Sequence, residues 1–145
     1  MSKVYIASDH AGFQLKTVLV PYISTLGYET EDIGAYKLEP DDDYPDYITP
    51  CAKRVASEKG SFGIVIGKSG QGEAMAANRI AGARAAVFYG GPEDLLALTR
   101  ADNNANILSL GAAFISELEA KQAVALFLAT LFSNEVRHTR RIEKF

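Results

Sequence analysis

Seven consecutive residues, Gly67-Lys68-Ser69-Gly70-Gln71-Gly72-Glu73, combine a glycine-rich turn with one carboxylate. They sit between an apolar run, Phe62 to Ile66, and a helical run, Ala74 to Arg79. A strand that ends in such a turn and feeds a helix aims several backbone N–H groups at one point, which suits an oxyanion or a phosphate. Glu73 sets a proton abstractor beside that point. Together they match what enolisation next to a carbonyl needs, since a proton leaves carbon while negative charge grows on oxygen. The bland alternative is that glycine turns follow strands throughout α/β proteins and that the helix dipole alone favours a Glu in the first turn. The letters Gly67-Lys68-Ser69 also imitate the end of a P-loop, but Phe62 stands where that pattern requires glycine, which argues against a nucleoside triphosphate.

The elements that must hold this turn are legible in outline. Apolar, β-branched segments at Val4–Ala7, Phe62–Ile66, Ala85–Phe88 and Ile107–Leu110 alternate with helical patterns, and Glu29–Ile33 is a candidate fifth strand. Alternation of this kind predicts an α/β fold with a parallel sheet and helices on both faces. Leu15, Val18, Leu19, Tyr22, Ile23 and Leu26 follow helical spacing, with Gly27 as the stop and Pro21 as an expected kink. Tyr36 to Asp46, with three consecutive aspartates, reads as a loop, and Pro45 suits the first turn of the next helix. Solvation suffices to explain Asp41 and Asp42, whereas Asp43, Tyr44 and Asp46 lie closer to the helix entrance and to the carboxyl ends of the strands. Ser116 and Glu119 form a capping box for a helix that is nearly all apolar from Ala123 to Phe132. Its girth calls for cover on more than one side, and a second subunit is the expected cover.

Length and composition place these elements in one domain spanning residues 1–145. Fifteen basic against eighteen acidic residues give a net charge of −3, so no global field favours nucleic acid or an anionic membrane, and any anion site must be local. No apolar stretch approaches the roughly 20 residues that span a bilayer, and a cytoplasmic location is expected. The single Cys51 falls on the apolar stripe Ile48, Cys51, Ala52, Val55 and reads as a buried structural thiol.

Several separated pieces then line up: Ser8-Asp9-His10-Ala11-Gly12, Asp43-Tyr44-Pro45-Asp46, Gly67 to Glu73 with Ala76-Ala77-Asn78-Arg79, Asn103-Asn104-Ala105-Asn106, Ser109-Leu110-Gly111, and Arg137-His138-Thr139-Arg140-Arg141. In this order and spacing the set resembles the family of ribose-5-phosphate isomerase B and the galactose-6-phosphate isomerase subunits, over nearly the whole chain. The resemblance implies a three-layer α/β sandwich, Rossmann-like or flavodoxin-like, with a five-stranded parallel sheet, and a metal-free, cofactor-free aldose–ketose isomerase acting through a cis-enediolate. It also implies a homodimer, or a dimer of dimers, with active sites at the interface and a sugar phosphate as ligand.

Residue by residue, the resemblance makes Glu73 the base, since the family's alternative base is a cysteine where this chain has Gly67. Glu73 is expected to stay ionised near neutral pH. Ser69 and the N–H groups of Gly70, Gln71 and Gly72 become the anion hole, in which one donor is worth about 3 kcal/mol of barrier. Asp9 takes part in ring opening, and His10 touches the substrate near its phosphate; an ordinary N-cap is the other reading of Asp9. Tyr44, Gly67, Lys68 and Asn103 join the substrate-binding set. Arg137 and Arg141, at i, i+4, fork around the phosphate, or form a solvated basic turn.

Two positions depart from the family. Asp102 stands where a ring-opening histidine is usual, and a carboxyl near its ordinary value of about 3.9 is a poorer shuttle at neutrality than an imidazole near 6.5. Ala113 replaces a phosphate-binding arginine, and Lys68 is a candidate replacement, the alternative being an outward-pointing surface lysine. Ribose 5-phosphate isomerisation is the leading expectation. Isomerisation of a tetrose or hexose phosphate, or a catalytically impaired sugar-phosphate-binding subunit, are the alternatives, and a nucleotide-binding module is weaker still.

Overall fold

The computed structural model describes residues 2–145. Five strands, β1 (Lys3–Ser8), β2 (Glu29–Asp32), β3 (Phe62–Gly67), β4 (Ala85–Phe88) and β5 (Ile107–Gly111), form one sheet in the order β2-β1-β3-β5-β4. Every pairing is parallel. The five strands read from the sequence are these five, differing by at most one residue at any end. β5 inserts between β3 and β4 because all five of its residues are buried, whereas β4 is mostly half-buried and takes the edge.

Six helices cover the sheet: α1 (Phe13–Thr25), α2 (Pro45–Ser57), α3 (Gln71–Ala77), α4 (Glu93–Ala101), α5 (Glu117–Ala129) and α6 (Val136–Ile142). On one face α1, α4 and α5 bury Leu15, Leu19, Ile23, Leu96, Val124 and Phe127 against Val4, Ile6, Ile64, Ile66, Leu108 and Leu110. On the other face α2 and α3 bury Ile48, Cys51, Ala52, Val55 and Ala77 against Tyr5, Ala7, Val65 and Ile107. The alternating side chains of β1 and β3 thus supply both cores, which gives the expected three layers.

Local signals hold in detail. Pro45 is the first residue of α2, and Gly27 just beyond α1 has φ +93°. The Ser116 hydroxyl accepts from Glu119 N–H at 3.1 Å, and the Glu119 carboxylate accepts from Ser116 N–H at 3.1 Å. α5 stops at Ala129, three residues before Phe132, because the β-branched Thr130 turns extended. The Thr130 carbonyl accepts instead from Arg100 Nε at 3.1 Å. α5 is covered largely by its own core, and the exposed apolar residues flank it: Leu118 at one end and Leu131 beyond the other. Cys51 is fully buried, and burial pushes its thiol up to about 12, which bears out a structural role. Among the described residues no helix is long and apolar enough to cross a membrane.

Candidate active site

Strands β1 and β3 are neighbours, with Ser8 opposite Ile66, and the chain leaves both at the same end of the sheet. The connection leaving β1 runs to β2 on one side and the connection leaving β3 runs to β4 on the other, so this is the point where the order reverses and a crevice opens. Asp9 leaves β1 there, and the glycine loop leaves β3.

The loop is built as its composition requires. Gly70 has φ +79°, a left-handed conformation that β-carbon sterics disfavour, and it serves as the N-terminal boundary of α3. The buried Ser109 hydroxyl donates to the Gly70 carbonyl at 2.6 Å, tying the loop to the central strand β5. Ser69 accepts the Gln71 N–H on its hydroxyl at 3.3 Å. Tyr44, at the entrance to α2, places its hydroxyl over the loop, where a Cβ on Gly72 would lie 2.5 Å from it.

Glu73 lies in the first turn of α3 and is only 4% exposed. Its carboxylate folds back over Gly67, so closely that a Cβ on Gly67 would sit 1.7 Å from Oε1. The bare Cα of Gly67 is therefore the floor on which the carboxylate rests. Burial pushes the Glu73 carboxyl above the ordinary carboxylate range, a hydrogen bond with its own backbone opposes this, and the negative charge of Asp9 adds to it. The expected ionised base is thus a carboxylate moved towards neutrality, the direction that improves proton transfer from carbon.

Asp9, 6% exposed, accepts the Ala11 N–H at 3.0 Å and caps a short 3-10 turn, His10–Gly12. The capping reading is thus met, and the same side chain stands at the mouth of the crevice. His10 brings a partner the sequence did not offer. Its Nδ1 is 2.6 Å from Asp42 Oδ1, and its backbone N–H donates to the same oxygen at 3.2 Å. Of the three aspartates in the loop it is Asp42, read as solvated, that reaches the site; Asp43 and Asp46 are exposed. The contact spans 32 positions in sequence, and nothing local distinguishes one aspartate of a run from the next. Asp9, His10 and Asp42 gather three donor atoms within 4.8 Å, and the hydrogen bond from His10 to Asp42 accounts for that grouping.

Lys68 is exposed at the head of the loop, and its carbonyl accepts the Ala113 N–H at 3.1 Å. Residues 68 and 113 are therefore adjacent in space, as a replacement of one by the other requires.

The remaining candidates lie at the other end of the molecule. Asp102 ends α4, and Asn103 is in the turn that enters β5, so both sit at the amino ends of the strands. Ser133 N–H bonds the Ala101 carbonyl at 3.0 Å, which brings the segment leading to α6 to the same end. Asp102 Oδ1 is 3.4 Å from His138 Nε2. Arg137 is exposed and donates through Nε to Glu135 at 2.9 Å, and Arg141 is exposed with no carboxylate partner among the described residues. A cavity of about 560 Å³ opens at this amino end, lined by Asn78, Ile80, Arg84, Thr99, Asn103 and Phe145. It contains neither Glu73 nor Asp9, so the convergence of groups, not cavity volume, marks the chemistry.

A family model described as Ribose/Galactose Isomerase matches residues 4–145. The chain is 39% identical over 141 residues to ribose-5-phosphate isomerase B of Mycobacterium tuberculosis, covering 97% of this chain and 86% of that protein. A probable ribose-5-phosphate isomerase B of Mycoplasma pneumoniae is 36% identical, covering 97% and 91%. Among solved structures, ribose-5-phosphate isomerase B of Mycoplasma genitalium with bound ribulose-5-phosphate superimposes with a TM-score of 0.92 at 36% identity, covering 98% of this chain and 92% of that one. The Thermotoga maritima enzyme gives a TM-score of 0.90 at 42% identity, covering 99% and 96%.

Proposed function

The chain belongs to the ribose/galactose isomerase family, and on that premise we propose that it interconverts ribose 5-phosphate and ribulose 5-phosphate. The observation that carries this reading is the Glu73 carboxylate seated on Gly67 beside the glycine loop. Glu73 takes the proton from C2 of the open-chain aldose. The electron pair left on carbon moves into the C1–C2 bond, and the carbonyl π pair moves to O1, where the N–H groups of residues 70–72 meet the charge. The proton then returns to C1 and the O2 proton passes to O1, leaving a ketone at C2. Ser69 adds a hydroxyl to the cradle, Asp9 takes part in ring opening and His10 meets the phosphate.

Arg137, Arg141, Asp102 and Asn103 serve the same reaction from a second copy of the chain. Within one copy they stand at the amino ends of the strands and the base stands at the carboxyl ends, so no single chain closes the site. Support for a homodimer also comes from apolar side chains exposed beside the uncovered edge strand: Met75, Leu95 and Leu98. Lys68, adjacent to Ala113, supplies the cation that residue 113 lacks. A soluble cytoplasmic enzyme acting without metal or cofactor completes the reading. A second reading, isomerisation of a tetrose phosphate, follows from Asp102: with its terminal oxygen esterified, such a substrate closes no stable ring and makes no demand on ring opening.

The test is a direct or coupled absorbance assay of ribose 5-phosphate with the purified chain in the presence of a chelator, beside Glu73→Gln. Turnover lost in the variant is expected. Turnover retained would remove Glu73 as the base, and turnover only with tetrose phosphates would favour the second reading.

A further inference from the structure

The loop that carries Asp42 has a role the reaction scheme does not use. Asp42 has a side chain only 7% exposed, and its Oδ2 is buried without a hydrogen-bond partner. A buried carboxylate oxygen left unpaired is costly, so the charge on this group must be offset through its other oxygen. That oxygen, Oδ1, receives both the His10 ring Nδ1 and the His10 backbone N–H, at 2.6 and 3.2 Å. Two donors from one residue fix the ring's position and rotation together. A carboxylate at Nδ1 also fixes the tautomer, since Nδ1 must carry the proton and Nε2 is left for another partner.

We propose that Asp42 is a positioning residue for His10: it locks the imidazole with Nδ1 protonated, so that Nε2 meets the substrate's phosphate as one end of a cation. The proposal rests on the reading of His10 as a phosphate contact. The carboxylates near the ring are Asp42, Asp9 at 3.8 Å and Asp41, and on α2 the Tyr47 phenol is raised by burial and by the neighbouring Asp42 carboxylate. The hydrogen bond to Asp42 is the strongest influence on the ring and holds its pKa above the ordinary imidazole value; partial burial opposes this, and Asp9 and Asp41 reinforce it. The imidazolium thus persists to higher pH than that of a free histidine, into the range where a sugar phosphate is a dianion.

The experiment is a nitrogen-15 imidazole titration of the substrate-free protein, wild type beside Asp42→Asn, with Asp41→Asn as a neighbouring control. In the wild type the Nδ1-protonated form is expected in the neutral ring. Asp42→Asn is expected to lower the His10 midpoint towards about 6.5, the free imidazole value, while Asp41→Asn moves it less. Steady-state kinetics on ribose 5-phosphate give the second arm: Asp42→Asn raises KM about tenfold above pH 7.5, with kcat within about threefold of wild type, as loss of one charge-assisted contact requires. An unchanged His10 midpoint in Asp42→Asn, or a wild-type ring protonated on Nε2 alone, would overturn the proposal. The tautomer reading needs only the wild-type protein, and neither nuclear measurement needs turnover, so failure of the isomerase reading would appear separately, as absent activity with the coupling intact.

Discussion

The two ends of the sheet are built on opposite physical principles. At the carboxyl ends the polar groups are buried and fixed: Glu73 and Asp9 are nearly inaccessible, the loop is tied to β5 through Ser109, and the Glu73 carboxyl is shifted upward by its surroundings. At the amino ends Arg137 and Arg141 are exposed on a helix of seven residues. A base must be desolvated and held in place, because proton transfer tolerates little misplacement. A cation that recruits a phosphate gains reach from exposure and steers its ligand before contact. Under the proposed function the contrast has a simple meaning: each end is half a site, and a second copy docking on the exposed half completes it.

The largest effect tests the buried end. Glu73→Gln is expected to lower kcat by about 10²–10⁴-fold with little change in KM, measured as ribulose 5-phosphate formation; retention of most activity would sink the assignment. Gly67→Ala comes next. Its new Cβ collides with the Glu73 carboxylate, and a displaced base costs on the order of 10²-fold in kcat even though the base is still present. A Gly67→Ala enzyme with normal kcat would show that the carboxylate works from elsewhere.

The exposed end should fail differently. Arg141→Ala is expected to raise KM for the sugar phosphate by about 10–100-fold, with kcat affected less, since it removes a charge-assisted contact. An effect on kcat alone would erase the distinction between the two ends. Mixing Glu73→Gln with Arg141→Ala chains after denaturation and refolding probes the division directly. If each site draws on two copies, hybrids carry one intact site, and random pairing restores about a quarter of wild-type activity from two impaired proteins. No recovery would place both ends of the site in one chain.

The smallest effect is in pH dependence. Glu73 must be ionised to act, and its carboxyl lies above the ordinary range, so kcat/KM falls as pH drops through a midpoint higher than about 4.3, the free glutamate value. A profile flat down to that value would contradict a buried base.

Much of this was legible in the residues. Four of the five strands announced themselves as short apolar, β-branched runs, the charged β2 less plainly, and the glycine loop, the Ser116 capping box and the Cys51 stripe each rest on neighbours close in sequence. The division into two ends was also available, because residues that follow a parallel strand and residues that precede one lie at opposite edges; Asp9 and Gly67 do the first, Asn103 the second. What sequence could not supply were contacts closed by folding. Glu73 resting on Gly67 depends on how the α3 carboxylate turns back, and Asp42 meeting His10 depends on a loop crossing 32 positions. The end of α5 was misjudged for a related reason: Thr130 leaves the helix to meet Arg100, thirty residues away.

The lone thiol has a use outside chemistry. Cys51 is the only cysteine in the chain, sits in the core between α2 and the sheet, and is too deeply covered and too weakly acidic to react while the protein is closed. Its labelling by an ordinary thiol reagent therefore runs at the rate at which that layer opens, making the protein its own clock for unfolding. Any variant that loses turnover while the clock keeps wild-type time has lost a function and not a fold.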